Sequence, residues 1–330
     1  MLREEFQELK DKYNLDIRFD EAMSKHTSYV IGGPADYFYS PEHLEDLQLV
    51  LGFAKSKDLP ITILGLGSNV LVSDKGIRGL VVAFNENFAH KGFLNKMPSP
   101  DEAGFTFARN NHSDELKFDE DGYTYLYVEA GEALIELSKY AQKHSLTGLE
   151  FSCGIPGSVG GAIYMNAGAY GGTTDEVCEL TYYLDSDLNF KVAVGEEQNF
   201  AYRQSLFHQV NGIILASVYK LTQGDQSLID ADIAEFTMKR TNSQPLELPS
   251  CGSVFKRPKG YYAGKLIMDA GLQGFRVGGA EVSKKHAGFI VNVGGATAAD
   301  VLAVIHHVQD VVYEKDGVKL EREVRLVGDW

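Results

Sequence analysis

The chain is predicted to be an α+β protein of more than one domain, and three observations predict it. Its 330 residues exceed what one ordinary hydrophobic core accommodates. Short strand-like runs and amphipathic helical segments alternate along it, with no internal repeat. Two glycine-rich loops, Gly65–Asn69 and Gly148–Gly172, interrupt that alternation where a backbone must pass close to a ligand. Apolar residues make up 44% and charged residues 23%, the balance of a folded chain rather than a disordered one.

The elements follow in order. The polar N-terminus MLREEFQELKDKYNL lacks the apolar core of a secretory signal. Ser40 and Pro41 read as the cap and first position of a helix carrying Leu44, Leu47, Leu51 and Ala54 on one face. Leu59–Leu64 is strand-like and runs into the first glycine loop, and Val70–Val72 and Leu80–Phe84 read as two further strands. From Glu86 to Tyr123 polar residues dominate and periodicity disappears, which reads as an exposed excursion. A strand over Tyr125–Ala130 and a helix over Ala133–His144 precede the long glycine segment. Strands return between Tyr182 and Leu221, and Ile229–Met238 reads as a helix that opens a second domain. The last long helix starts at Thr297, with Asp300 as its capping-box partner, and turns Val301, Val304, Val308 and Val311 inward until Gly317 ends it. A strand-like tail, Val318–Val327, closes the chain, with Glu321, Glu323 and Arg325 on one face.

Composition narrows the function. Acidic residues number 46 against 31 basic, a net charge of −15, and no basic tract stands out. That argues against nucleic acid and anionic membrane as partners and leaves any anionic ligand to a local cluster of Arg and Lys. No stretch is apolar for long enough to span a bilayer. Cys153, Cys178 and Cys251 are an odd, widely spaced set, so neither a disulfide framework nor a zinc site is expected. The histidines are scattered as well, and the metal expectation is none. A reducing cytoplasm fits this set.

The glycine loops carry the first chemical signal. Gly148–Gly172 holds eight glycines in 25 residues with one charge, yet keeps Ile155, Val159, Ile163 and Met165, so it is no flexible linker. Leu64-Gly65-Leu66-Gly67-Ser68-Asn69 lacks the third glycine of a Rossmann fingerprint and is followed by a strand. It can wrap a pyrophosphate with backbone N–H groups, and a tight β-turn reads equally well. Two such loops point to a large phosphate-bearing cofactor. In the C-terminal third, Pro249–Pro258 sets Ser253 near Lys256 and Arg257. Ser253 lacks a nucleophile elbow, so proton donation is its more plausible active role, a turn hydroxyl its bland one. Arg203 sits among aromatics, where a packed arginine would look the same. Glu323 and Arg325 share a strand face, and on the residues alone an exposed salt bridge is the preferred reading.

Seven segments then bring a family into view. GGPADYF (32–38), GLGSNVLVSD (65–74), GLEFSCGIPGSVGGAIYMNAGAYGG (148–172), YRQSLF (202–207), CGSVFKRP (251–258), GAEVSKKHAGFIVN (279–292) and LEREVRLVG (320–328) occur in the order seen in UDP-N-acetylenolpyruvoylglucosamine reductases. From about residue 26 to 328 the chain resembles that family. The resemblance implies an FAD-binding fold of the vanillyl-alcohol oxidase type in two subdomains, plus a smaller α/β substrate-binding domain. The corresponding boundaries are 1–85, 86–222 (with the polar insertion at about 86–123), 223–317, and a tail at 318–330 returning to the active site.

The resemblance also implies roles. Gly65, Leu66, Gly67, Ser68 and Asn69, with Gly154, Ile155, Pro156, Gly157, Ser158, Gly160 and Gly161, match segments that cradle non-covalent FAD. Ser253 matches the proton donor, and Arg203 and Glu323 the other two catalytic positions. Arg240, Lys256, Arg257, His286 and Arg325 fall where the substrate is contacted. The implied activity is NADPH-dependent reduction of UDP-N-acetylglucosamine enolpyruvate to UDP-N-acetylmuramate for peptidoglycan, both ligands using one cleft. Lys256 or a water is expected to support the weakly acidic Ser253. Arg203 and Ser253 are 50 positions apart, which resembles the shorter family branch without a tyrosine-bearing substrate loop. Arg257 replaces a familiar asparagine, and Ser243 a frequent basic residue. No obligatory protein partner is expected. An oxidase on the same fold and a silent UDP-sugar-binding protein are the rival readings. The lack of an evident covalent-flavin His or Cys motif, with Ser253 and Glu323, counts against the first, and Arg203, Ser253 and Glu323 against the second.

Overall fold

The computed structural model describes residues 2–330 and arranges them around three main sheets. Helix α1 (Leu2–Tyr13) buries Phe6 and leads into β1 (Ile17–Ala22) and β2 (Pro34–Tyr39). Helix α2 (Leu44–Ser56) follows, then β3 (Ile61–Leu64), β4 (Val70–Val72) and β5 (Ile77–Ala83). The first sheet has the order β1-β2-β5-β3, antiparallel at its first pair and parallel at the others. Strand β5 is covered on both faces. Leu80 and Val82 enter one core, Ile77, Val81 and Ala83 the other, as the two-residue period of a strand requires.

The cap expected at Ser40 is not there. His43 is the N-cap of α2, and the Ser40 hydroxyl instead donates to the Ala83 carbonyl (3.2 Å) and accepts from the Asn85 side chain (2.6 Å). A buried serine at a strand end found partners across the sheet, so the helix begins later.

The second sheet is antiparallel, in the order β12-β11-β13-β7-β6, with a short β8 on the end of β13. In chain order its region comprises β6 (Lys91–Leu94), α3 (Glu102–Asn111), β7 (Tyr123–Glu129), α4 (Leu134–Lys143), β8 (Leu146–Thr147) and α5 (Val159–Met165). The small hairpin β9 (Gly168–Ala169) and β10 (Gly172–Thr173) follows, then β11 (Cys178–Leu184), β12 (Phe190–Val194), α6 (Phe207–Val210), β13 (Ile213–Gln223) and α7 (Gln226–Ser243). Helix α7 is longer than the expected Ile229–Met238 and packs against α4 and β8.

The segment 86–123 is not the exposed excursion its composition suggested. It supplies an edge strand and a helix, and it buries Phe88, Phe93, Leu94, Phe105 and Ala108. Glu129, fully buried at the end of β7, anchors it by pairing with Arg109 Nε and His90 Nδ1, each at 2.9 Å. The elements are short and each turns only two or three apolar side chains inward. Periodicity over a long window therefore missed them.

The third sheet comes from β14 (Ser250–Ser253), β15 (Arg276–Val277), β16 (Ala280–Val282) and β17 (Phe289–Asn292), in the order β14-β17-β16-β15. Helix α8 (Ala263–Asp269) and helix α9 (Ala298–Asp316) pack with it. Thr297 and Asp300 form the expected capping box on α9, and Gly317 ends it in the left-handed region at φ 69°. Val301, Val304 and Val308 are buried as expected, with Val312 rather than Val311 completing the stripe.

The tail is not one strand. Only β18 (Arg325–Val327) pairs, parallel to β4, while Arg322 makes an isolated bridge with Phe255. The tail runs from the end of β14 to β4, with which it forms a two-stranded sheet of its own, so no single neighbour offers a ladder along its whole length.

Candidate active site

The two glycine loops interlock. A Cβ built on Gly65 would stand 2.1 Å from Ser158 Oγ, and one on Gly157 would stand 2.9 Å from Ser68 Oγ. Ser68 Oγ donates to the Pro156 carbonyl at 2.9 Å. Gly67 (φ 63°) and Gly157 (φ 137°) occupy backbone conformations that side chains resist. Ser158 caps α5 by accepting from the Gly161 N–H at 3.2 Å. Among the described residues, the N–H groups of Leu66, Gly67, Ser68 and Asn69 are absent from the backbone donors that find a protein acceptor. Arg240 flanks the second loop: a Cβ on Gly154 would meet its Nε at 2.7 Å, and that Nε is buried without a partner. Bare backbone donors, glycines and an unsatisfied guanidinium nitrogen fit a diphosphate-bearing cofactor.

The tail brings functional candidates to these loops. The Asn69 side chain donates to the Glu323 carbonyl at 3.3 Å, and the Asn69 backbone carbonyl accepts from the Arg325 N–H at 3.1 Å. On the other side, the Glu323 N–H donates to the Val254 carbonyl at 2.8 Å. Glu323 is thereby held between the first glycine loop and the end of β14. Arg203, at φ 56°, reaches it from 120 residues away, with Nε donating to Glu323 Oε1 at 2.7 Å. Its other nitrogens donate to the carbonyls of Asn166 and Gly168, each at 3.3 Å. The salt bridge that Glu323 and Arg325 were expected to share is absent. Glu323 pairs with Arg203, and the Arg325 guanidinium lies over the Tyr164 ring at 5.0 Å.

Ser253 ends β14, exposed, opposite Phe289. A Cβ on Gly288 would lie 3.6 Å from Ser253 Oγ and 3.1 Å from the His286 ring, so the serine and the imidazole flank one bare glycine. Lys256 does not support the serine: its Nζ lies 3.4 Å from Glu321. Arg257 donates its backbone N–H to the Tyr202 hydroxyl at 3.2 Å and rests its guanidinium 4.0 Å from the Tyr262 ring centre. Lys256, Arg257, Lys259 and Lys319 share a cavity of about 400 Å³ with Tyr202 and Tyr261.

Two titrating groups are set by their surroundings. Burial pushes Glu323 above the usual carboxylate range, and Arg203 and Lys256 oppose it. Burial lowers His286, whose Nδ1 accepts the Gly288 N–H at 3.2 Å, so the neutral ring carries its proton on Nε2. Arg240, Arg257 and Arg325 each lie against a tyrosine ring, and none forms a salt bridge among the described residues. Three cations without acids stand out in a chain of net charge −15.

Sequence reasoning missed Tyr164, Asn166 and His208, which surround Arg203 and Arg325. His208 follows the YRQSLF segment directly, and only its fold shows that it belongs.

Comparison with known proteins agrees with this geometry. The family model for the UDP-N-acetylenolpyruvoylglucosamine reductase C-terminal domain matches residues 244–327, and one for an FAD binding domain matches 105–187. The first spans Ser253 and Glu323, the second the Gly154–Gly161 loop. A UDP-N-acetylenolpyruvoylglucosamine reductase of Shouchella clausii is 46% identical over 313 residues, 95% of this chain and 91% of that protein. One of Staphylococcus haemolyticus is 42% identical over 332 residues, covering 100% and 99%. The crystal structure of the Thermus caldophilus reductase superposes with a TM-score of 0.73 at 31% identity, covering 95% of this chain and 98% of that one. Similarity of this extent, on a fold that joins an FAD binding domain to the reductase's own C-terminal domain, shows that the chain belongs to the UDP-N-acetylenolpyruvoylglucosamine reductase family of flavin-dependent oxidoreductases.

Proposed function

We propose that this chain is the cytoplasmic reductase that uses NADPH and FAD to convert UDP-N-acetylglucosamine enolpyruvate into UDP-N-acetylmuramate for peptidoglycan. The observation that carries the reading is the Arg203–Glu323 pair, closed at 2.7 Å beside Ser253 by a tail that the first glycine loop holds. Its division of labour follows the sequence boundaries: 1–85 and 86–222 for the cofactor, 223–317 for the nucleotide-sugar, and 318–330 for the returning tail. When bound, FAD accepts reducing equivalents from NADPH and supplies hydride to the enolpyruvyl group.

The residues of the chain do the rest. Gly65–Asn69 hold the cofactor through backbone donors, and Gly154–Gly161, where the N–H groups of Ile155, Val159, Gly160 and Gly161 already have protein acceptors, add those of Gly154, Gly157 and Ser158. Arg203 and Glu323 form a fixed polar pair that meets the charge developing on the substrate carboxylate without reorganising. Ser253, exposed to the cleft, delivers the proton to the neighbouring carbon. The neutral His286 offers its Nε2–H as a donor beside that hydroxyl. Arg257, Arg325 and Lys256 supply cations for the carboxylate and diphosphate, and Arg240 lies close enough to the second loop to serve either ligand.

The test is an anaerobic absorbance trace of the purified holoenzyme. NADPH bleaches the flavin band, and the enolpyruvyl substrate then restores it. Ser253→Ala keeps the bleaching and slows the recovery by about a hundredfold or more. Recovery only on admitting oxygen would make the protein an oxidase instead.

A further inference from the structure

The tail presents Glu323 and Arg325 two residues apart, and one short segment, 203–208, addresses both. At its first residue Arg203 pairs with Glu323. At its last, the His208 ring stacks on Tyr164, with centroids 3.9 Å apart and planes inclined by 29°. The Arg325 guanidinium lies over that same tyrosine ring at 5.0 Å. Ser205, buried between the two ends, fastens the segment to α5. Its hydroxyl donates to the Tyr164 carbonyl at 2.8 Å, and its N–H donates to His208 Nδ1 at 3.3 Å. Arg325 is fixed at its backbone by Asn69 and β4, and its side chain forms no salt bridge among the described residues.

A carboxylate partner would aim this guanidinium but also cancel its charge. An aromatic face orients it through the ring quadrupole and leaves the charge and the N–H edge for a ligand. A histidine stacked on the same tyrosine leaves the ring to Arg325 only while it is neutral, because a protonated imidazole would compete for the ring and repel the guanidinium. Burial, together with the nearby Arg325 and Lys256, holds His208 down to about 4, and Nδ1 already accepts from Ser205.

We propose that Tyr164 and His208 are positioning residues that aim the uncompensated Arg325 guanidinium at an anionic group of the nucleotide-sugar. The inference rests on the reductase reading above and adds to it the residues that set one of its ligand contacts. Carboxylate and phosphate offer the same chemistry to a guanidinium, and the two ligands of the test separate them.

The experiment titrates oxidised holoenzyme with UDP-N-acetylglucosamine enolpyruvate and, separately, with UDP-N-acetylglucosamine, which has the diphosphate but no enolpyruvyl carboxylate. Perturbation of the flavin spectrum reports each Kd, while flavin content and Tm verify that the variants are folded. Tyr164→Leu and His208→Leu are expected to raise the Kd about tenfold, while Tyr164→Phe, which keeps the ring, stays within about twofold. Tyr164→Leu adds nothing further in an Arg325→Met background, as two residues acting through one contact require. A loss confined to the enolpyruvyl ligand assigns Arg325 to the carboxylate, and a loss with both assigns it to the diphosphate. Should Tyr164→Leu lose its flavin, His208→Leu carries the test. Wild-type affinity in His208→Leu, or losses that multiply with Arg325→Met, overturns the positioning role. A wild-type spectrum that ignores both ligands removes the reductase reading itself. A normal wild-type response beside an unaffected Arg325→Met removes Arg325 as a contact, and the positioning role with it.

Discussion

His208 is a side chain whose charge the fold suppresses. Its ordinary value is 6.5, and burial and neighbouring cations bring it to about 4 in the folded protein. Between those values the unfolded chain binds the proton and the folded one does not, so stability rises with pH across that window. The contribution is complete above 6.5 and is lost as pH falls toward 4. Replacing His208 with Gln is therefore expected to flatten the acid side of the stability curve, read by urea unfolding at pH 4.5, 5.5 and 7. An unchanged slope would mean that His208 titrates freely and stands in no cationic neighbourhood. Glu323 moves the other way, burial outweighing its partner Arg203, so its carboxyl holds a proton to higher pH than an ordinary glutamate.

At the scale of elements, the two glycine loops interlock, and in the proposed function they form the cofactor's cradle. Gly65 has no unusual φ, so alanine there meets no backbone penalty; its Cβ simply collides with Ser158 Oγ at 2.1 Å. That oxygen caps α5, so moving it disturbs the start of the helix as well. Gly65→Ala is expected to fold while binding FAD about tenfold more weakly, measured by flavin fluorescence on dilution. Wild-type retention of FAD would show that the two loops are not the cradle. This collision was not legible in either loop alone, because residues 65 and 158 meet only after five strands and two α-helices have been laid between them. Each loop's glycine content was legible, since backbone freedom is a property of the residue itself. The same distinction explains segment 86–123. Its polar composition is plain in the sequence, but Glu129, which anchors it, lies beyond its end in β7.

At the scale of the whole molecule, the tail ties three parts together. Beyond β18, Ser73 donates its hydroxyl to the Asp329 carbonyl, the Asp329 N–H donates to the Gly76 carbonyl at 3.1 Å, and Arg78 Nε stands 3.7 Å from the Asp329 carboxylate. Removing Asp329 and Trp330 loses those contacts but spares β18, Asn69 and Glu323. Truncation after Gly328 is expected to cost about 1–2 kcal/mol and a few degrees of Tm, with the KM for the enolpyruvyl substrate unchanged. A KM raised about tenfold at unaltered Tm would instead place the last two residues in the ligand's surroundings.

Local pattern was enough for the α+β class, most elements and the capping of α9, and contiguous motifs for the residue types proposed at the site. Each of these depends on local propensity, periodicity or a contiguous motif. Packing in three dimensions set the rest: Glu323 pairs with Arg203 rather than Arg325, Lys256 turns to Glu321, and Tyr164, with His208 stacked on it, lies against Arg325. Those choices join residues as far as 161 positions apart, Tyr164 to Arg325. Which of several eligible charges becomes a partner depends on where packing leaves each one, and no local pattern records that.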